Sequence, residues 1–520
     1  MYKTDGINLP ERIVYLLLVA FCFLLYGKTL SYDLSWLDDY YLLIEAAPFL
    51  SEFKNLPALF FTDVFITNPQ GFYRPLLNVS FMADIALKNL SGGWFFSHLL
   101  NILFHATSVC LVYKLLMTFS VRKVFAALLA LFFAAHPASS VAVGWIPGRN
   151  DLLLAVFIFS SFLILDKYRK DGKIKNILHY SILLSCALFT KESAVMLPFL
   201  GFLWLFICKK TLNFPKNDEK SQKNADLSVF KADFNVFALF SIIPMLIWAF
   251  MRHMAYIGKT EISIAETLHN FLYLPEIIGH AIFPAWPVIV SPYSNLPYFA
   301  IMLAFFAIFT IFFSYFISKK LRNGKKVENQ DVESGKSVAF SVLFGITWFI
   351  MFFIPTFAAG EGIGSGSSFF EHRLYIPLTG FLLAIGIAAN EIPERRKPFA
   401  FALSAVLILF FLAMSFCHLP YYCDRYSFWR QVTLNMPDDY PTFVRAGQCE
   451  EQRGLDGIAA YYYRRALVLN PKQELLHASL AGIYYRSGDY ENAEKEMLEE
   501  LAINPDYEKG RKWLEMLRKR

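Results

Sequence analysis

The chain has 520 residues, of which 56% are hydrophobic, 17% aromatic and only 18% charged. Soluble domains hold about 45–50% apolar and about 25% charged residues, so a single water-covered core is excluded and lipid is the simplest cover for the excess. The net charge of +6 carries no stripe of basic residues interleaved with aromatics, which argues against nucleic-acid binding. The seven cysteines form no CxxC pair, and no zinc pattern is present.

A membrane crossing takes about 20 mostly apolar residues. In chain order the expected spans are 12–30, 94–117, 123–143, 151–166, 175–190, 193–208, 234–253, 297–317, 337–358, 372–390 and 398–418. The first run has no small-x-small cleavage site and more spans come after it, so it reads as a transmembrane helix rather than a signal peptide. The stretch 271–290 holds Pro275, Pro284, Pro287 and Glu276, and reads as a re-entrant or interfacial element. With the N-terminus in the cytoplasm, Arg122–Lys123, Lys167 to Lys170, the 209–231 loop, Lys319 to Lys326 and Arg395 to Lys397 all face the cytoplasm. Counting 271–290 as a crossing would move the last two clusters outside. Eleven spans are therefore expected, with the C-terminus outside.

Residues 421–520 are polar, and two stretches match at a spacing of 34. Gly454 aligns with Gly488, Ala459 with Ala493, and Asn470-Pro471 with Asn504-Pro505. Small residues let paired helices pack closely, and proline ends the second helix of each unit. This is the tetratricopeptide pattern, with two repeats and a capping helix near 507–518. The expected fold class is all-α: a polytopic membrane domain over 1–420 and an extracytoplasmic repeat domain over 421–520.

With that topology, costly polar groups gather on the outer face. The loop 31–93 contains Trp36-Leu37-Asp38-Asp39-Tyr40 and Tyr73-Arg74-Pro75-Leu76. The next outer loop supplies His136-Pro137 and Gly148-Arg149-Asn150-Asp151. The fifth span ends on Lys191-Glu192, and the tenth opens on Glu371-His372-Arg373-Leu374-Tyr375. Charges near bilayer depth are expensive and usually functional. A carboxylate accepts a hydroxyl proton, and Arg or Lys holds a phosphate and the charge that develops on a departing one. Each motif alone has a plain reading: Asp38–Asp39 as a solvated turn, Lys191-Glu192 as an interfacial ion pair, Arg149 and Arg373 as snorkelling side chains. His98 and His105, within a span, read as hydrogen-bonded between helices rather than as metal ligands.

The order of these motifs resembles the transmembrane and tetratricopeptide-repeat O-mannosyltransferases, in the GT-C glycosyltransferase superfamily. The resemblance runs over nearly the whole chain: an acidic pair after the first span, Tyr-Arg-Pro-Leu, Asn101 and His105, His-Pro, Gly-Arg-x-Asp-Leu-Leu, Lys-Glu, Glu-x-Arg-x-Tyr-x-Pro, then the repeats. It implies transfer of mannose or another hexose from a polyprenyl-phosphate donor to an extracytoplasmic acceptor, protein Ser or Thr, with inversion. The family's acidic motif falls on Asp38 and Asp39; either is able to act as the general base, with Asp38 favoured as the first of the pair and the other orienting the acceptor or the base. Tyr73 and Arg74 would shape the site, and Arg149 and Asp151 match the Gly-Arg-x-Asp motif. Lys191, with Glu192 beside it, His136 and Arg373 are candidates for the donor phosphate; Glu371 and Tyr375 would orient Arg373. An acidic pair is also able to hold a divalent cation, and that requirement is open in the sequence. The short repeat array departs from the family pattern and, with the Lys-rich loops, suits a bacterial inner-membrane relative rather than one of the endoplasmic reticulum. Two other readings compete: a membrane-anchored tetratricopeptide scaffold for extracytoplasmic clients, and a lipid-linked sugar transporter. A scaffold needs one anchor rather than about eleven spans. A transporter places its charges near the midplane and often shows inverted repeats, which this sequence does not.

Overall fold

The computed structural model describes residues 9–212, 231–255, 330–357 and 371–519, together with 278, 279, 282, 291, 292, 300, 368 and 369. Among them lie seven helices long and apolar enough to cross a membrane, one bent helix pair that passes the same test, and two shorter apolar helices. The chain is an all-α, multi-pass membrane protein. These helices fall where ten of the eleven spans are expected; the remaining one, 297–317, lies outside the described residues but for Ala300, as does nearly all of 271–290.

The helices used below are α1 (Glu11–Tyr26), α2 (Pro75–Ser91), α3 (Phe95–Thr118), α4 (Lys123–Ala135), α5 (Pro137–Gly144), α6 (Arg149–Asp171), α7 (Ile174–Thr190), α8 (Met196–Leu212), α9 (Phe234–Met254), α10 (Gln330–Phe357), α11 (Tyr375–Ala389) and α12 (Lys397–His418). The chain divides into two compact units. The first spans Met1–Pro287, Ser294–Gly360 and Glu371–Cys423, and holds every helix named so far.

The expected continuous span 123–143 is instead broken: α4 and α5 meet at 54°. Pro137 has no N–H to continue the ladder, and His136 is extended, its Nδ1 accepting from the Ala138 N–H at 3.1 Å. The carbonyls freed at the bend must be satisfied inside the protein, since lipid offers no donor. Ser139 donates to Phe133 O (2.8 Å), Tyr26 to Ala134 O (2.7 Å) and Ser415 to Ala135 O (2.7 Å).

Small residues let other spans touch backbone to backbone. A Cβ on Gly345 of α10 would meet Gly380 O of α11 at 2.5 Å, and one on Gly380 would meet Gly345 O at the same distance. Trp348 donates to Ile376 O at 3.1 Å across this crossing. α11 opens directly after a 3-10 turn, Glu371–Leu374, so the crossing fixes where that turn sits. The 31–93 segment is built around an apolar centre that includes Leu34, Leu43, Leu59, Leu77 and Phe81 and is completed by Trp94 and Ile146.

The second unit comprises Val288–Tyr293, Glu361–Phe370 and Asp424–Arg520. Within it Ser291–Pro292 pairs antiparallel with Ser368–Phe369. Helix Arg425–Asn435 precedes two helical hairpins, Tyr440–Gln452 with Asp456–Leu469 and Leu476–Arg486 with Tyr490–Ile503, and then helix Glu508–Arg518. Gly454 and Gly488 make the two hairpin turns at φ +76° and +81°, conformations that suit glycine. Gly447 lies so close to Tyr463 that a Cβ would meet the ring at 2.5 Å. The buried Glu500 carboxylate accepts from Leu475 N–H (2.7 Å) and Ala478 N–H (3.3 Å), tying the second hairpin together at its open end.

Candidate functional site

Asp38 and Asp39 open a π-helical turn, Tyr40–Glu45. The two acids differ in what surrounds them. Asp39 is buried and accepts from the Ser35 N–H at 2.7 Å and the Ser35 hydroxyl at 3.0 Å, closing the turn around Trp36. Trp36 sits at φ +60°, an uncommon conformation for a bulky residue. Burial pushes Asp39 up to about 7, against the pull of the Ser35 bonds and with the Asp38 charge adding to the rise. Asp38 is half-buried and accepts no hydrogen bond from a described residue. Burial pushes it up to about 6, and the positive charges of Arg74 and Arg373 oppose that rise.

Arg74 starts α2 beside Pro75, whose fixed φ suits a first helical position. Its Nε donates to Glu192 Oε2 at 3.0 Å, and its guanidinium lies 4.7 Å from the Phe72 ring centre. The Tyr73 N–H donates to the other Glu192 oxygen at 3.0 Å, while the Tyr73 hydroxyl donates to Phe60 O at 2.8 Å. Lys191, one residue before Glu192, donates to Asp151 Oδ1 at 2.7 Å and Asn150 Oδ1 at 3.3 Å. Burial pushes the Lys191 ammonium down, opposed by Asp151, while Arg74 and Arg373 repel its charge. The second Asp151 oxygen lies 3.9 Å from His372 Nε2. Thus Asp38, Arg74, Lys191, Glu192, Asp151, His372 and Arg373 form one electrostatic cluster drawn from several separate chain segments.

Four expected site residues stand elsewhere. Arg149 is completely enclosed: it donates to Asp84 (2.6 Å), Asn101 Oδ1 (2.9 Å), Ser97 O (2.9 Å) and Ser80 Oγ (3.3 Å). A guanidinium used in this way binds the protein to itself and leaves no face for a phosphate. Gly148 permits the placement, since a Cβ there would meet Ala142 O at 2.6 Å. His136 caps α5 between the rings of Phe132 and Phe411, so it serves the bend. The Tyr375 hydroxyl is shared with His105 Nδ1 at 2.7 Å, linking α11 to α3 rather than orienting Arg373; this is the interhelical bond expected of His105. Glu371 is buried, with its Oε2 4.0 Å from His418 Nδ1.

Sequence reasoning missed two carboxylates. Asp84 receives Arg149, so α2 is clamped to the start of α6. Asp63 accepts the N–H groups of Phe65, Gln70, Gly71 and Phe72 at 2.6–3.1 Å, folding the loop that carries Tyr73 and Arg74. Asn68-Pro69 and Gly71 signal a tight turn there, but not the acid at its centre. No group of three or more His, Cys, Asp or Glu among the described residues is placed to hold a metal ion.

A stretch of 138 residues, 24% of this chain, is 31% identical to the protein O-mannosyl-transferase TMTC1 of Homo sapiens. Another, 163 residues and 31% of the chain, is 30% identical to TMTC3 of Mus musculus, and a third, 188 residues and 34% of the chain, is 29% identical to Tmtc2 of Drosophila melanogaster. Over these stretches the chain is similar to the TMTC protein O-mannosyl-transferases. The aligned stretches span 15%, 17% and 20% of those three TMTC proteins. No family model and no solved structure matches the chain.

Proposed function

We propose that this chain is a membrane glycosyltransferase that moves mannose or another hexose from a polyprenyl-phosphate donor to a Ser or Thr hydroxyl of an extracytoplasmic protein. The observation that carries the reading is Asp38, a carboxylate with no hydrogen-bond donor on it among the described residues, under the positive charges of Arg74 and Arg373, which also act on Lys191. Similarity to proteins named O-mannosyl-transferases supports the same class of reaction.

In the proposed step Asp38 takes the proton of the acceptor hydroxyl. The hydroxyl oxygen bonds to the anomeric carbon as the anomeric C–O bond to phosphate breaks, inverting that carbon. The electron pair leaves on the phosphate oxygen, and Arg74, Lys191 and Arg373 hold the polyprenyl phosphate as its charge grows. Asp39 orients the turn through Ser35, Glu192 and Asp151 hold the cations in place, and Tyr73 and Glu371 brace their segments. Asp84 with Arg149 supports α2 from behind. The reaction face lies outside the cytoplasm, with a bacterial inner membrane favoured, and the repeat unit engages the acceptor chain.

The test is transfer in purified membranes with polyprenyl-phosphate mannose and a Ser/Thr-rich protein, read by mass spectrometry as an added hexose. Asp38→Asn abolishes transfer while membrane insertion survives. Full activity of that variant would remove the assignment of the base. Client capture by the repeats, with no transfer by the intact chain, would favour the scaffold instead.

A further inference from the structure

We propose that Trp248 and Arg252, one turn apart at the end of α9, form a binding site for the phosphate head of a lipid monophosphate beside the Asp38 cluster. The inference rests on the reading that the donor is lipid-linked, and it names where that lipid is first held.

The Trp248 indole Nε1 and the Arg252 Nε are both buried, and neither has a hydrogen-bond acceptor among the described residues. Both atoms are donors only. Buried donors without acceptors are disfavoured and rare, so each such atom calls for an explanation. Here there are two, on residues four apart and therefore on one face of the helix, with the guanidinium 5.8 Å from the indole ring centre. A single group with several acceptor oxygens would satisfy both at once, and a phosphate has that form.

The rest of Arg252 fixes the location. Its Nη2 donates to Gly71 O at 3.3 Å. Gly71 belongs to the loop folded around Asp63, and the next residue, Phe72, lies under the Arg74 guanidinium. The end of α9 is thus tied to the loop that presents Arg74, on the same side of the protein as Asp38.

The remainder of α9 indicates the second half of the ligand. Ile243, Leu246, Ile247 and Phe250 are exposed along the helix leading to this end. A ligand with oxygens at its head and an apolar tail fits donors and helix together. Free phosphate fits only the donors, and a neutral lipid only the helix. Ordinary interfacial anchoring does not account for the arrangement, because snorkelling Trp and Arg side chains keep their polar tips in water.

The experiment uses the full-length protein in phosphatidylcholine nanodiscs, without acceptor, and measures binding of undecaprenyl monophosphate. Arg252→Gln is expected to weaken binding about tenfold and Trp248→Phe, which keeps an aromatic ring, about threefold. Neither inorganic phosphate nor phosphatidylglycerol is expected to compete. Unchanged affinity in both variants would overturn the proposal, as would equal competition by free phosphate or by phosphatidylglycerol. Because no sugar is transferred in this assay, a chain inactive as a glycosyltransferase still gives a decisive answer.

Discussion

The pH dependence of transfer separates the two acids of the Asp38–Asp39 pair. Asp38 is pushed up to about 6 by burial, with Arg74 and Arg373 holding it from rising further, whereas Asp39 is pushed up to about 7 by burial and the Asp38 charge. A general base works only when deprotonated. If Asp38 is the base, about 90% of it is ready at pH 7 and about 9% at pH 5, so kcat/KM falls roughly tenfold between them, with a midpoint near 6. The sign follows from the charge: acidification protonates the base and activity is lost as pH falls. Arg74→Gln removes a cation that favours the carboxylate, so the midpoint should climb by roughly half to one unit, whatever happens to the maximum rate. Initial rates measured from pH 4.5 to 8.5 in the wild-type chain and in Arg74→Gln give both quantities. Arg74 is not among the charges acting on Asp39. A midpoint near 7 that ignores Arg74→Gln would therefore refute the choice of Asp38 and point to its neighbour.

Arg149→Met strips the buried Asp84 of its partner and should lower unfolding stability by about 3–5 kcal/mol, while Asp84→Leu with Arg149→Met should recover most of that; thermal melts in detergent report both. Gly380→Val drives a side chain into the α10–α11 contact and should shift the protein to aggregates in size-exclusion chromatography. Glu500→Ala leaves the Leu475 and Ala478 N–H groups unpaired and should destabilise the helical repeats by about 1–3 kcal/mol, seen as faster limited proteolysis after residue 424. Deleting 437–520 should leave transfer to a short peptide intact and reduce transfer to a folded protein; equal rates on both would count against acceptor recruitment.

The features legible in the sequence were those with strong local signals. Runs of apolar residues marked the spans, because a bilayer demands length and hydropathy whatever the packing. Gly454 and Gly488, Asn470-Pro471 and Asn504-Pro505 marked the hairpins, because turns and helix ends need particular backbones. The sequence put Asp38, Arg74, Lys191 and Arg373 together only through their expected side of the membrane. The fate of each polar group was not, since a buried arginine and a ligand-facing one share the same sequence context. Arg149 reads like Arg373 until Asp84 is found beside it, 65 residues away in the chain. Likewise His136-Pro137 reads as a site motif, although its proline bends the span and its histidine caps α5. Trp248 and Arg252 sit in a stretch that hydropathy records only as membrane.

The bend between α4 and α5 bears on how the chain is made. The three carbonyls it frees are closed by Tyr26 from the first span, Ser139 from the bend and Ser415 from the last. A ribosome delivers Tyr26 and the bend early, but Ser415 emerges some 280 residues after Ala135. Until then Ala135 O lacks the donor that closes it in the finished fold. The early spans must therefore wait in the insertion machinery, or keep a water at that point, for the last helix to lock them.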